Sequence, residues 1–331
     1  MIALAQSAPL FLLAWLAFLA LGMFVAALLR PLGASRLPTW EPAARYRMLV
    51  VFAALPVATA TILLLAAVLP SLVSLVLPAL DHCPAHDDGH LHLCFVHLPA
   101  VAPSATVLLV VSALALYLTL QLTITTRRAL RTARVLSVLE RTGHPRCDLG
   151  VTVIETPEPV CLAVGLLRPR ILLARSLLLQ LDASERTVVL AHERAHVVRR
   201  DALVGALVRC LSTFHLPHVG RWLVRELDVA AEQACDERAA SAVGDRLLVA
   251  ATILQVERAL GCRTSEPYTP LALAFGAAAV ERRVAALLVD SPRPRSLGAL
   301  KFLFAIGGFC ALVGAAELHH LTESLLSVVA H

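Results

Sequence analysis

Charge is scarce in this chain. Only 16% of its 331 residues are Asp, Glu, Lys or Arg, while 58% are apolar and the mean hydropathy is +0.75. A water-surrounded globule carries roughly 25% charged and about 45–50% apolar residues. A single soluble core is therefore excluded, and so is intrinsic disorder. Aromatics make up 5% and glycine only 15 residues, which excludes collagen-like and prion-like classes. Eight cysteines are too sparse for a disulfide scaffold. Neither an internal repeat nor a low-complexity linker is present. The class that remains is a multi-span membrane protein with a sizeable polar insert.

The apolar residues are concentrated. Residues 9–29, 48–80 and 99–126 contain no charged side chain, nor do residues 302–316. A bilayer core takes roughly 20 apolar helical residues. The sequence predicts four transmembrane helices, at about 9–29, 48–69 with an interfacial extension to 80, 103–125 and 297–317. The first run has no Lys or Arg before it, so it reads as a retained span rather than a cleaved signal peptide. The lipid bilayer is thus the first partner.

Orientation follows from the basic residues of the connections. Arg30, Arg36, Arg45 and Arg47 lie between the first two spans, Arg127 to Arg141 follow the third, and Arg293, Arg295 and Lys301 precede the fourth. Residues 81–99 and 318–331 have no Lys or Arg. Both termini are expected outside, with residues 127–296 in the cytoplasm and 318–331 as a short outer tail. The net charge of +5 needs no nucleic-acid partner, because the basic stretch after the third span is juxtamembrane. The expected fold class is mainly α: four transmembrane helices with a cytoplasmic α+β domain inserted between the third and fourth.

Within the insert, residues 127–141 continue the third span as a basic helix that Gly143-His144-Pro145 breaks. Val151–Ile154, Val160–Val164 and Arg170–Leu173 are β-prone runs that predict a small sheet. Asp182 with Glu185 three residues later predicts a capping box and a helix through TVVLAHERAHVVRRDAL. Further helices are expected around 219–243, 245–260 and 278–289.

His192-Glu193-Arg194-Ala195-His196 is an H-E-x-x-H motif on that helix. Residues four apart share a helical face, so two imidazoles can converge on one ion, with Glu193 beside them as the base that takes a proton from water. The neighbours Val188, Val189, Leu190, Ala195 and Val197 suit a buried helix around a dry site rather than a solvated face. A catalytic zinc takes three protein ligands and keeps one open position. Glu232 is the best third ligand. Asp236, one turn later, is placed to accept the other ring N–H of a ligand histidine. Glu226, His215 and His218 are rivals, the two histidines falling in an expected loop, where one of them can instead serve an oxyanion. Cys235 lies beside the Glu–Asp face. Asp201 and Arg199 can form ion pairs that back the metal ligands, and read first as a structural pair.

The run Gly165-Leu166-Leu167-Arg168-Pro169-Arg170-Ile171, then LAHERAHVVRRDAL, then Phe214 to Trp222, then EQACDERA resembles the membrane peptidases of the BlaR/MecR antirepressor type, over roughly residues 100–290. The resemblance implies a gluzincin-like peptidase domain between the third and fourth spans, one Zn2+ held by His192, His196 and Glu232, and Glu193 as general base. It implies a strand near 160–173 that takes substrate by edge pairing. It implies a bacterial cytoplasmic membrane, a cytosolic repressor of the BlaI/MecI type as substrate, and self-cleavage; a homodimer is left open. Two departures are visible. Only a short stretch follows the fourth expected span, without a Ser-x-x-Lys motif, so direct antibiotic sensing is not expected. The family's Asn-Pro before the third-ligand helix reads Leu216-Pro217.

The connection 81–99 reads DHCPAHDDGHLHLCFVHLP. Facing outward, Cys83 and Cys94 can form a disulfide; alternatively His82, His86, His90, His92 and His97 can bind zinc or copper. The remaining cysteines read as small core residues. A function of another class stays open at this point: a non-catalytic receptor or metal/redox sensor that signals by binding a partner. A metal transporter ranks last, because the uncharged runs 9–29, 48–80, 99–126 and 302–316 carry no Asp, Glu, His, Lys or Arg.

Overall fold

The computed structural model describes residues 2–77, 104–261, 277–289 and 307–330. Three helices in it are long and apolar enough to cross a membrane: α1 (Ile2–Arg36), α2 (Pro42–Val76) and α3 (Ala105–Thr142). At 1.5 Å per residue, the 38 residues of α3 span about 57 Å, against a hydrocarbon core of about 30 Å. The excess length is matched by the basic end from Arg127 to Arg141. Pro56 and Pro70 lie inside α2 without ending it, as membrane helices allow. The α1–α2 contact is built on small residues. A Cβ on Gly22 would lie 2.8 Å from the Pro56 Cα, so the two backbones touch there.

The fourth expected span falls partly outside the described residues. Of its length, 307–313 are helical, and a further helix α10 (Ala315–Ala330) runs on through the expected tail. This helix packs against α2, where His319 Nδ1 donates to the Ala67 carbonyl at 2.6 Å.

Gly143 ends α3 and the chain enters a four-stranded sheet: β1 (His144–Arg146), β2 (Val151–Ile154), β3 (Cys161–Val164) and β4 (Arg170–Ala174), in the order β1-β2-β4-β3. The pairs are antiparallel except β2 with β4. β3 and β4 form a hairpin whose turn needs Gly165, at φ +99°, where a side chain would meet the Arg168 carbonyl. Val151, Val153, Ile171 and Leu173 alternate onto one face and bury against α4 (Arg175–Gln180) and α5 (Ala183–Arg199).

The expected capping box starts α5: Asp182 accepts from the Glu185 N–H at 2.8 Å, and Glu185 accepts from the Asp182 N–H at 2.9 Å. Arg200, at φ 55° and ψ 42°, stops the helix and reverses the chain into α6 (Asp201–Leu211). It is the one non-glycine residue with positive φ among the described residues. α7 (Pro217–Val243) opens with Pro at its first position and closes on Gly244 in the left-handed conformation. It is the central helix of the domain. One stretch, Trp222, Leu223, Leu227, Ala230 and Ala231, forms a core with Leu37, Tyr46, Leu49 and Ala53 of the membrane helices and their connection. Further on, Ala239 and Ala240 pack with α8 (Arg246–Gly261) and α9 (Ala277–Leu288). Arg246 ties the three together, pairing with Glu237 at 2.6 Å and donating to the Leu287 carbonyl at 2.9 Å.

Candidate metal centre

α5 and α7 cross with the H-E-x-x-H turn facing Glu232. His192, His196 and Glu232 are all buried. The two Nε2 atoms lie 3.1 Å apart. His192 Nε2 is 3.4 Å from Glu232 Oε2, and His196 Nε2 is 3.4 Å from Glu232 Oε1.

The outer nitrogens are both engaged. His192 Nδ1 lies 2.9 Å from Asp236 Oδ1, and His196 Nδ1 lies 2.8 Å from Asp201 Oδ2. Each carboxylate thereby fixes its ring as the Nδ1–H tautomer and turns the Nε2 lone pair inward. Both Nε2 atoms then face the Glu232 carboxylate, whose Oε2 also meets Arg283 Nη1 at 3.0 Å. Two inward-facing imidazole nitrogens beside a carboxylate favour a cation between them. The spacing fits one. Zn–N distances of about 2.0–2.1 Å in a tetrahedral site put ligand atoms about 3.3 Å apart. These side chains are therefore suited to hold a divalent metal.

The electrostatics are set by burial and by neighbours. Burial pushes the Glu232 carboxyl up, but the Arg283 guanidinium and the two imidazoles hold it well below its usual range. Asp236 is likewise raised by burial and brought below its usual value by Arg283 and His192. Asp201, raised by burial, is held down by His196 and Arg199. Burial lowers both imidazoles, yet the surrounding carboxylates carry them above the ordinary histidine value. The pocket is anionic and attracts positive charge.

Glu193 is buried on the same helix. It lies close to the edge strand β3: the Cys161 thiol is pushed well up by burial and then by the Glu193 carboxylate. Glu193 thus lies beside the β3 edge.

The rival ligands are placed elsewhere. Glu226 pairs with Arg282 at 3.1 Å. His215 stacks on Phe52 and its Nε2–H donates to the Ala53 carbonyl at 3.0 Å, with its pKa lowered by burial. His218 is not in a loop but exposed in the first turn of α7. Cys235 is buried beside the centre, its Sγ 3.7 Å from Asp201 Oδ2, and burial raises its thiol to about 11. Together with His196 and Asp201 it makes a second potential ligand group that shares one histidine with the first. The outer residues Cys83, Cys94, His82, His86, His90, His92 and His97 lie outside the described residues.

Two participants were not legible in the sequence as such. Asp201 reads as a partner of Arg199, which it is at 3.2 Å, but it also orients His196. Arg283, from α9, reaches both Glu232 and Asp236. Nothing in the Glu281-Arg282-Arg283 run separates the buried guanidinium from its exposed neighbour.

Three helices long and apolar enough to cross a membrane, together with a buried His-His-Glu group on α5 and α7, fit a membrane metalloprotein. The chain belongs to the BlaR1 peptidase M56 family, whose model matches residues 97–287, more than half of the chain. No curated protein and no solved structure matches it.

Proposed function

We propose that the chain is a zinc-dependent membrane endopeptidase that acts in signalling. The observation that carries this reading is the buried set of three mutually facing side chains, His192, His196 and Glu232, with ligand atoms 3.1–3.4 Å apart. A divalent ion held there by His192, His196 and Glu232 would polarise a peptide carbonyl and make water acidic enough to ionise near neutral pH. Glu193 takes the proton from the attacking water and passes it to the leaving amine. β3 is the end strand of the sheet order, and its outer edge offers backbone groups to an extended peptide. Asp201 and Asp236 keep the imidazoles from turning.

The substrate we infer is a cytosolic transcriptional repressor of the BlaI/MecI type, with self-cleavage as a second event. The arginines at the adjoining ends of α1 and α2 and at the end of α3 support a peptidase domain on the cytoplasmic side of a bacterial membrane, with both chain ends outside. Purified Glu193→Gln protein is expected to bind one zinc per chain and cleave nothing. His196→Ala is expected to lose the zinc as well. Full cleavage by Glu193→Gln protein would reject the reading, and metal analysis with a peptide-cleavage assay checks both variants.

A further inference from the structure

We propose that Arg283 is a positioning residue of the metal centre: a single guanidinium on α9 that sets two of its three ligands. The proposal rests on the metallopeptidase reading and deepens it. Arg283 is 3% exposed, and Asp236, its main partner, 1%. Its Nε and Nη2 lie 2.7 Å from Asp236 Oδ2 and Oδ1, a two-bond fork. Its Nη1 lies 3.0 Å from Glu232 Oε2. Asp236 in turn holds His192 Nδ1 at 2.9 Å. Arg283 therefore touches the third ligand directly and the first through one carboxylate.

The chemistry requires a guanidinium at that point. Two carboxylates one helical turn apart on α7 repel each other, and burial disfavours the charge on both. A planar cation with donors on two edges can bond one carboxylate in a fork and still present a nitrogen to the other. A lysine ammonium carries one point charge and cannot hold two carboxylates in fixed orientations. His196 is served separately, by Asp201 from α6. The centre thus takes its orientation from two independent supports, and α9 supplies the larger. Arg283 acts through ligands and touches neither substrate nor the reacting water.

The test uses the full chain in detergent, stripped of metal. Zinc alone is titrated against a competing chelator, and cobalt alone is added to read the visible absorption of the centre. Arg283→Lys is expected to weaken zinc binding by about 10–100-fold, the usual cost of losing an orienting partner. It is expected to change the cobalt spectrum while the metal-free protein keeps its helix content and melting temperature. Arg283→Gln should lose more, and Arg282→Lys, at the exposed neighbour, should lose nothing. A merely structural role would lower melting and leave the zinc affinity and the cobalt spectrum unchanged, which overturns the proposal. Failure of both Arg283 variants to fold before metal is added also overturns it, by making Arg283 a core residue. If the wild type takes up no zinc, the metallopeptidase reading fails. If the wild type binds and Arg283→Lys equals it, only the present proposal fails.

Discussion

Each histidine of the pair has its outer nitrogen held by a carboxylate from a different helix, Asp236 on α7 and Asp201 on α6. An asparagine at either position keeps an acceptor oxygen and the shape but loses the charge that favours the inward lone pair. Asp236→Asn and Asp201→Asn are each expected to lower zinc affinity by about 10–100-fold, read by chelator competition. Equal affinity in both variants would remove the orienting role. The two carboxylates differ in how visible they are before folding. Asp236 follows Glu232 by four on an unbroken helix, so their shared face is legible from spacing alone. Asp201 follows His196 by five. It reaches back only because Arg200 takes a left-handed conformation that bulky residues seldom adopt. The H-E-x-x-H pair was legible because both ligands lie on one helical turn. Arg283 comes from a separate helix of the chain, and its contact with Glu232 is a product of tertiary packing that no local pattern carries.

At the scale of elements, most of the fold is written in punctuation. Pro217 opens α7, Gly244 closes it, Asp182 and Glu185 cap α5, and Pro and Gly residues separate β2, β3 and β4. The basic end of α3 was legible because the charges begin where the uncharged run stops. Pairing is less visible. The parallel β2–β4 register places β3 at the edge, and that order depends on how α4 and α5 cover the sheet. The α1–α2 contact is similar: Gly22 lies in an apolar run that looks uniform, yet its neighbour is the Pro56 backbone. With no apolar driving force between helices in lipid, this close approach is what holds the pair. Gly22→Ala is expected to force the helices apart at a cost of about 1–3 kcal/mol. Gly307→Ala, where an added Cβ meets nothing within 4 Å, is the control. Thermal unfolding in one detergent compares them, and equal midpoints would show that the contact is not close.

On the scale of the whole molecule, α2 belongs to two structures at once. Its C-terminal half packs on α1 and α10, while its N-terminal half is a wall of the domain that holds the His-His-Glu group. Arg45 is buried and bonds Gln233, the residue next to Glu232, and Gln233 donates in turn to the Arg282 carbonyl at 2.7 Å. The Tyr46 ring covers Arg199, 4.1 Å from its guanidinium carbon, and Arg199 pairs with Asp201. Leu49 and Ala53 complete the core against Leu223 and Leu227. Composition divided the chain where charge rises, near residue 127, and could not show that an apolar helix far upstream also fills a polar domain. The consequence is energetic. Burying a large apolar side chain stabilises by about 1.5–3 kcal/mol. Losing Leu37, Tyr46 and Leu49 together therefore costs on the order of 5–9 kcal/mol, comparable with the roughly 5–15 kcal/mol that hold a domain folded. Residues 127–296 expressed alone are expected to expose Trp222, Leu223 and Leu227, bind a hydrophobic dye, and take up no stoichiometric zinc. Co-expression with a segment covering α1 and α2 is expected to restore zinc uptake. A soluble excised domain with one tightly bound zinc would show that α2 only anchors the peptidase. The expected dependence would instead make any displacement of that helix in the membrane a displacement at Asp201 and Glu232.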